Sequence, residues 1–277
     1  MATVSLTAGI RANLLSLNET STVLGQTQAR IGSGKKVGSA IDDPTAFFTA
    51  QALSNRAGDL TSRLDGIGKG IQTVKAASAG VTGITSLLKQ AKGIAQDARA
   101  LPTSGGTSTA DRAAAVTKYN AVLNEIDSMA KDSGYDGVNL LDSATLDVQF
   151  AEKAGSSVLT LTGFDASSAG TVVTAADATD WSANATIDTA VSALETSIAN
   201  LQTQSKTLSA NLASMTTRQT FTKSMVDTLT TGSDNLTNAD LNTESANLLA
   251  LNTQNSLGVN ALSLASQASQ SVLKLLG

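Results

Sequence analysis

The feature that most constrains the fold is the segment from Leu241 to Gly277, which repeats every seven residues and is almost uncharged. Between Ser245 and Leu273 it contains no Asp, Glu, Lys or Arg. Its two interleaved series of apolar residues predict an α-helix with one apolar seam. We interpret the opposite face as Ser, Asn, Gln and Thr, where an exposed helix normally carries charges. Because uncharged polar groups cost less to bury than charges, we expect copies of the same chain to surround this helix.

The first part of the chain has the same pattern, with apolar residues seven apart from Ile10 to Ile31. The pattern predicts a second weakly charged helix, which pairs with the last one as a coiled coil. Isolated amphipathic helices have only marginal stability in water. Burying each Leu or Ile contributes roughly 1.5–3 kcal/mol, and we expect this burial to occur mainly in an assembly. The predicted self-assembly residues are Ile10, Leu14, Leu17, Leu24, Ile31, Leu241, Leu248, Leu251, Leu262, Val272 and Leu276.

Between these segments the sequence predicts two long helices with heptad repeats and a shorter one. Asp43-Pro44 marks the start of the first, with Asp as N-cap and Pro in the first turn, and Leu101-Pro102 marks its end. After a loop at 103–108, a shorter helix is predicted from about Thr109. The second long helix carries heptads from Ile187 to Leu229, and we expect a break at 231–234.

The sequence pattern changes after residue 133, where turn-forming residues precede two stretches in which apolar and polar residues alternate. Thr145–Phe150 and Ser157–Thr162 predict a β-hairpin around a turn at 153–156. Residues 165–183 are rich in Ala, Ser, Thr, Asp and Gly, and we expect an exposed loop there. The predicted fold is mainly α: an elongated antiparallel coiled-coil bundle with a small β-hairpin.

Composition argues against several classes of function. The chain has no Cys and no His, so it lacks thiol nucleophiles, disulfides, the usual zinc ligands and the usual general base. We therefore predict no enzyme, no metal site and no cofactor. The net charge of −4 without a basic stripe argues against nucleic-acid binding. No run approaches the ~18 apolar residues of a membrane span, and the first residues do not have the pattern of a cleaved signal peptide.

Four short motifs follow one another along the chain: SGKKVGSAIDD at 33–43, YDGVNLL at 135–141, NADLNTE at 238–244 and SVLKLL at 271–276. They resemble SSGLRINSAKDD, FNGVNLL, DADYATE and NVLSLL of bacterial flagellins. Each motif alone is weak, but four in the right order are specific. The resemblance covers roughly residues 1–165 and 184–277.

The resemblance implies a structural subunit that self-assembles into the extracellular flagellar filament for swimming motility, after export by the flagellar type III apparatus. It implies a coiled-coil core domain of residues 1–43 with 233–277, and an outer helical rod of residues 44–232 with a variable loop at 165–183. The implied partners are many copies of the chain itself, an export chaperone, and cap and junction proteins. In the loop it implies candidate O-glycosylation sites at Ser167, Ser168, Thr171, Thr174 and Thr179.

Two alternatives remain at this point. Asp42-Asp43-Pro44 also occurs in the hook–filament junction protein, which shares the flagellin termini. The second alternative is an exported coiled-coil adhesin, for which the end segments would be dispensable.

Overall fold

The computed structural model describes residues 8–152, 157–175 and 177–276, without the side chains of residues 107, 269 and 272–276. Within these residues the helices are α1 (Ala8–Ser33), α2 (Pro44–Ala100), α3 (Gly106–Asp132), α4 (Asn184–Thr237) and α5 (Leu241–Leu276). The strands are β1 (Thr145–Gln149) and β2 (Val158–Thr162). The prediction of a mainly α-helical fold is confirmed.

Contacts divide the described chain into two compact units. The first unit contains the residues up to Asn55 and those from Thr228 onward, and the second unit contains Arg56–Asp227. The sequence predicted a core domain of residues 1–43 with 233–277 and an outer rod of residues 44–232. These boundaries assign roles in the filament, which contacts within one chain do not test, so they stay a prediction.

The ends of α1 and α2 follow from local chemistry that the sequence contains. Gly34 has a φ of 71°, which suits a glycine, and its N–H donates to the carbonyl of Arg30 at 2.8 Å, so α1 ends there. Asp43 Oδ1 accepts a hydrogen bond from the N–H of Ala46 at 3.0 Å, and α2 begins at Pro44 as predicted. It ends at Ala100, before Pro102.

The β-hairpin is confirmed in the predicted stretches. β1 and β2 are antiparallel, with Thr145 opposite Thr162 and Gln149 opposite Val158. Val148 and Leu161 point into the core and are buried, while Asp147 Oδ1 accepts a hydrogen bond from the Thr160 hydroxyl on the outer face at 2.6 Å. The predicted turn at 153–156 lies outside the described residues.

The core of the second unit consists of the heptad positions of α2 and α4. One heptad series of each helix is nearly or fully buried in this unit: Ile67, Val74, Val81, Leu88 and Ala95 on α2, and Ile187, Leu194, Leu201, Leu208 and Met215 on α4. The interleaved series, such as Val191, Ile198 and Leu212, is half-buried. Tyr119, Leu123 and Ile126 of α3 complete the core. Heptad periodicity therefore predicted which residues of these helices are buried.

The expectation of an exposed loop at 165–183 is wrong, because much of this segment packs onto the core. Ala166, Val172, Val173, Ala175 and Trp181 are all buried. The Trp181 ring lies 5.0 Å from the Tyr119 ring, and burial raises the pKa of Tyr119 to about 12. Side chains of the helices satisfy the polar backbone of the segment: Asn120 bonds both the N–H and the carbonyl of Ala178, and Ser197 accepts from the N–H of Thr174.

A buried arginine joins four chain segments in the second unit. Arg112 is 3% exposed and donates to the carbonyl of Leu101 at 2.6 Å, to that of Trp181 at 2.8 Å and to Asn184 Oδ1 at 2.7 Å. These acceptors lie just after α2, at the end of the 165–183 segment and at the start of α4. The guanidinium therefore fixes where these segments meet α3, which begins at Gly106 and not at Thr109.

The predicted break at 231–234 is also wrong, since α4 continues to Thr237. A Cβ at Gly232 would lie 3.4 Å from Leu53 Cδ1, and the Ser233 hydroxyl donates to the carbonyl of Ala50 at 3.1 Å. Gly232 and Ser233 thus allow α4 to approach α2 closely, and these two residues do not interrupt the helix.

We expect Gly80→Ala to destabilise the protein by about 1–3 kcal/mol, the usual cost of overpacking a core. A Cβ there would lie 2.6 Å from Leu141 Cδ1 and 2.7 Å from Ser133 Cβ. Gly66, also in α2, has no atom within 4 Å of such a Cβ, so Gly66→Ala should stabilise by roughly 0.5–1 kcal/mol. Urea unfolding of both variants tests the pair, and equal shifts would contradict the packing described.

Candidate functional site

The two weakly charged helices of the first unit, α1 and α5, pack against each other in antiparallel directions. Leu17 of α1 lies against Gly258 of α5, and nearer the other end Arg30 Nη1 lies 3.4 Å from Glu244 Oε1. A Cβ at residue 258 would be only 2.7 Å from Leu17 Cδ1. Glycine at this position therefore sets how closely the helices approach. The predicted pairing is confirmed.

Most of the predicted self-assembly residues lie in the seam between these two helices. Ile10 is buried, and the half-buried ones are Leu17, Leu24, Ile31, Leu248, Leu251 and Leu262. Leu14 and Leu241 are exposed, and the side chains of Val272 and Leu276 lie outside the described residues. The seam is thus largely covered within one chain, and a role for its residues in assembly stays a prediction.

A second set of leucines on α5 was missed by the sequence reasoning. Leu249, Leu257 and Leu264 are 71%, 64% and 68% exposed. At about 100° per residue they lie within about 80° of one another, outside the seam. Leu257 is the nearest of the three to α1, because it lines a cavity with Leu17 and Gly258. The interpretation of this face as only Ser, Asn, Gln and Thr is therefore wrong. We call these three residues the leucine stripe; their spacing of eight and seven residues was the signal available in the sequence.

The surroundings of the leucine stripe are polar but uncharged. Thr253 donates its hydroxyl to the carbonyl of Leu249 at 2.9 Å, and Ser256 donates to that of Asn252 at 3.0 Å. Such bonds to the preceding turn satisfy the hydroxyl hydrogen within the helix. Burial of this face consequently carries a smaller desolvation cost than burial of a charged face would.

Backbone hydrogen bonds hold the end of α1 next to the start of α5. The N–H of Ala239 donates to the carbonyl of Gly34 at 2.9 Å, and the N–H of Lys36 donates to that of Thr237 at 2.8 Å. This short antiparallel connection brings the two helices together at one end. It uses residues of two of the motifs described above.

Asp240 caps the first turn of α5. Its carboxylate accepts hydrogen bonds from the Thr243 hydroxyl at 2.9 Å and from the N–H of Asn242 at 3.0 Å. These bonds, with the Thr243 hydroxyl the largest cause, lower the pKa of Asp240 below its ordinary value of 3.8. The cap is therefore a carboxylate at neutral pH and is weakened only in acid.

Comparison with known proteins identifies the family. The model of the bacterial flagellin N-terminal helical region matches residues 7–146, and that of the C-terminal helical region matches residues 186–276. The chain belongs to the bacterial flagellin family. It is 33% identical to flagellin FljM of Caulobacter vibrioides over 98% of this chain and 97% of the relative. It is 28% identical to a flagellin of Brucella melitensis over 99% of each.

Family membership makes this flagellin a structural subunit of the flagellar filament and not an enzyme. The matches do not favour the hook–filament junction protein. In the described part of the chain, no cluster of carboxylates could hold a metal ion, and no helix is long and apolar enough to cross a membrane. The paired helices with their leucine stripe are therefore the candidate site for assembly.

The Asp240 cap predicts a specific pH dependence. Because its folded pKa is lowered, the protection it gives to the amides of Asn242 and Thr243 is complete above the unfolded pKa and is lost as the pH falls through the folded value. Asp240→Asn should retain the cap without this loss, and Asp240→Ala should lack protection at every pH. Amide exchange measured by NMR tests this; the same acid profile in wild type and Asp240→Asn would contradict it.

Proposed function

We propose that the flagellin subunit polymerises through the leucine stripe of α5, which neighbouring copies cover in the filament. The observation that supports this is the exposure of Leu249, Leu257 and Leu264 on a helix whose seam is already occupied by α1. Three exposed leucines along one face of a helix mark that face as a candidate contact surface.

The energetics favour a polymer over the free chain. Each stripe leucine contributes roughly 1.5–3 kcal/mol when its side chain is removed from water, and the uncharged surroundings add little penalty. A single contact must first offset the loss of translational and rotational freedom. In a filament each copy contacts several neighbours, so every subunit gains the free energy of burying its leucines. The entropy cost of ordering the α1–α5 pair is incurred only once for each subunit.

The paired helices offer different apolar surfaces on their two sides. The stripe lies on α5, whereas α1 exposes Leu15 and Val23. A contact between two different surfaces is heterologous and produces an open fibre when the rotation between copies does not close a ring. An open fibre is the assembly that a filament subunit must form.

The finer assignments rest on the family and on the sequence. In this proposal residues 1–43 with 233–277 form the filament core and residues 44–232 form the outer part. The type III apparatus exports the chain with a chaperone, cap and junction proteins meet it at the filament ends, and it functions outside the cell. Among the candidate O-glycosylation sites, Thr171, Thr174 and Thr179 are exposed, whereas Ser167 is half-buried and Ser168 is buried; the first three are the better acceptors.

The test is seeded, salt-driven assembly followed by electron microscopy and sedimentation. Replacing both Leu257 and Leu264 by Asn should raise the critical concentration at least about 100-fold, since the loss is ~3 kcal/mol or more and each 1.4 kcal/mol is tenfold. Asn260→Gln, which lies between them on the same face, is the matched control and should assemble as wild type does.

The outcomes separate the candidate functions. Normal filaments from the double variant would show that the stripe is not the contact surface. Wild-type chains that cap seeds without elongating them would favour the hook–filament junction protein. An adhesin would be favoured if wild-type chains neither cap nor elongate the seeds and if a variant that lacks residues 1–43 and 233–277 remains soluble.

A further inference from the structure

A cavity of about 270 Å³ in the second unit lies beside the first three turns of α3. Its apolar wall includes Trp181, which is buried, and Val116, which is half-buried. Arg112 also lines it, together with the hydroxyl-bearing residues Thr103 and Thr179. We call this feature the Arg112 cavity.

Arg112 places a positive charge at this cavity without a counter-charge. The residue is only 3% exposed, and in the described part of the chain it forms no ion pair. The acceptors of its Nη1 and Nη2 groups are neutral oxygens of Leu101, Trp181, Ser182 and Asn184. Because a buried charge without a counter-ion is costly, an anion beside the guanidinium would be favoured.

One donor of this guanidinium also lacks an acceptor. The Nε atom of Arg112 is buried and has no hydrogen-bond partner among the described residues, although nearly all buried polar groups of folded proteins have one. The hydroxyls of the exposed residues Thr103 and Thr179 can donate as well. An ionised carboxylate only accepts hydrogen bonds, so the donors and the positive charge of this cavity match its chemistry.

The start of α3 adds to the positive potential at the cavity. The first turn of α3 contains no acidic residue, and Gly105 before it provides no side-chain cap. Such a helix N-terminus has a partial positive charge and favours anions. Asp180 is the carboxylate in the lining, and it accepts hydrogen bonds from the Ser182 N–H and hydroxyl, each at 2.8 Å. Its negative charge disfavours an anion that carries more than one charge.

We propose that the Arg112 cavity binds a small organic monocarboxylate. The carboxylate supplies the counter-charge that Arg112 lacks and an acceptor for its Nε–H, and the apolar part of the ligand packs against Trp181. The ligand lies where Arg112 joins the end of α2, the 165–183 segment and the start of α4, so binding stabilises the second unit. This inference goes beyond the proposed function and does not depend on filament formation.

The test uses the tryptophan fluorescence of the full-length monomer. Trp181 is the only tryptophan of the chain and lines the cavity, so its emission reports on occupancy. The protein is titrated with sodium propionate at constant ionic strength, and sodium chloride and sodium phosphate are the comparison salts. The NMR signal of the Arg112 Nε–H group and the melting temperature are measured in the same series.

Ala113→Leu and Ala114→Leu are the matched variants. Both alanines are exposed on α3, but of the two only Ala113 lines the cavity. A leucine at residue 113 therefore occupies the space of the ligand and leaves Arg112 unchanged. Leucine at residue 114 has the same helix propensity and leaves the cavity open.

We expect propionate to change the Trp181 emission and the Arg112 Nε–H shift with one saturable, millimolar Kd, and to raise the melting temperature. Ala114→Leu should bind as wild type does, whereas Ala113→Leu should bind at least about tenfold more weakly, a loss of 1.4 kcal/mol or more. Chloride and phosphate should likewise bind at least about tenfold more weakly than propionate.

Several outcomes would overturn the proposal. They are the absence of a saturable change, an equal change in Ala113→Leu, or an equal or stronger response to chloride or phosphate, which would show a general effect of ions only. If Ala113→Leu does not fold, the wild-type Arg112 signal decides. A shift with the Kd seen by fluorescence supports the site, and an unchanged signal contradicts it.

Discussion

The close antiparallel packing of α1 against α5 is the interaction on which the functional surface depends. It is possible because Gly258 has no side chain where Leu17 approaches, and because backbone bonds between Gly34 and Ala239 start the two helices side by side. Because α1 packs on the heptad seam of α5, the apolar residues of α5 that lie outside the heptad positions remain uncovered by this chain. The leucine stripe is available to other copies because the seam is not.

Heptad periodicity predicted the core of the second unit well, and it failed where burial has another origin. Ile67 and Leu194 are buried because a seven-residue repeat keeps one helix face turned to its neighbour. Val172 and Trp181 lie in an irregular segment, and their burial depends on Asn120 and Asn200, which bond the backbone of that segment from distant helices. Such partners cannot be identified from the segment's own composition, which resembles that of an exposed loop.

The proposed contact surface lies on a helix that the sequence singled out, but on residues that the heptad pattern did not select. The absence of charge from 245 to 273 drew attention to α5. The heptad template then selected Leu248, Leu251 and Leu262, which pack largely against α1, and assigned the remaining positions to a polar face. Leu249 and Leu257 were overlooked because one template describes one apolar face, whereas this helix has two. A helix that packs on its own chain with one side and, in the proposed assembly, on other chains with the other side needs two apolar faces, and one heptad pattern describes only one of them.

Arg112 illustrates a different limit of sequence reasoning and also a difference between the two units. An arginine in a helix without a nearby acidic partner is normally read as a solvated charge, yet this one is buried against the carbonyls of Leu101 and Trp181 and the side-chain oxygen of Asn184. Removing an acceptor from a buried charge is strongly destabilising, so these bonds fix one arrangement of the segments of the second unit. In the first unit the α1–α5 pair has a narrow seam and polar groups that are satisfied locally. The second unit is thus specified by its own polar bonds, whereas in the proposed assembly the weakly charged α1–α5 pair gains stability from neighbouring copies.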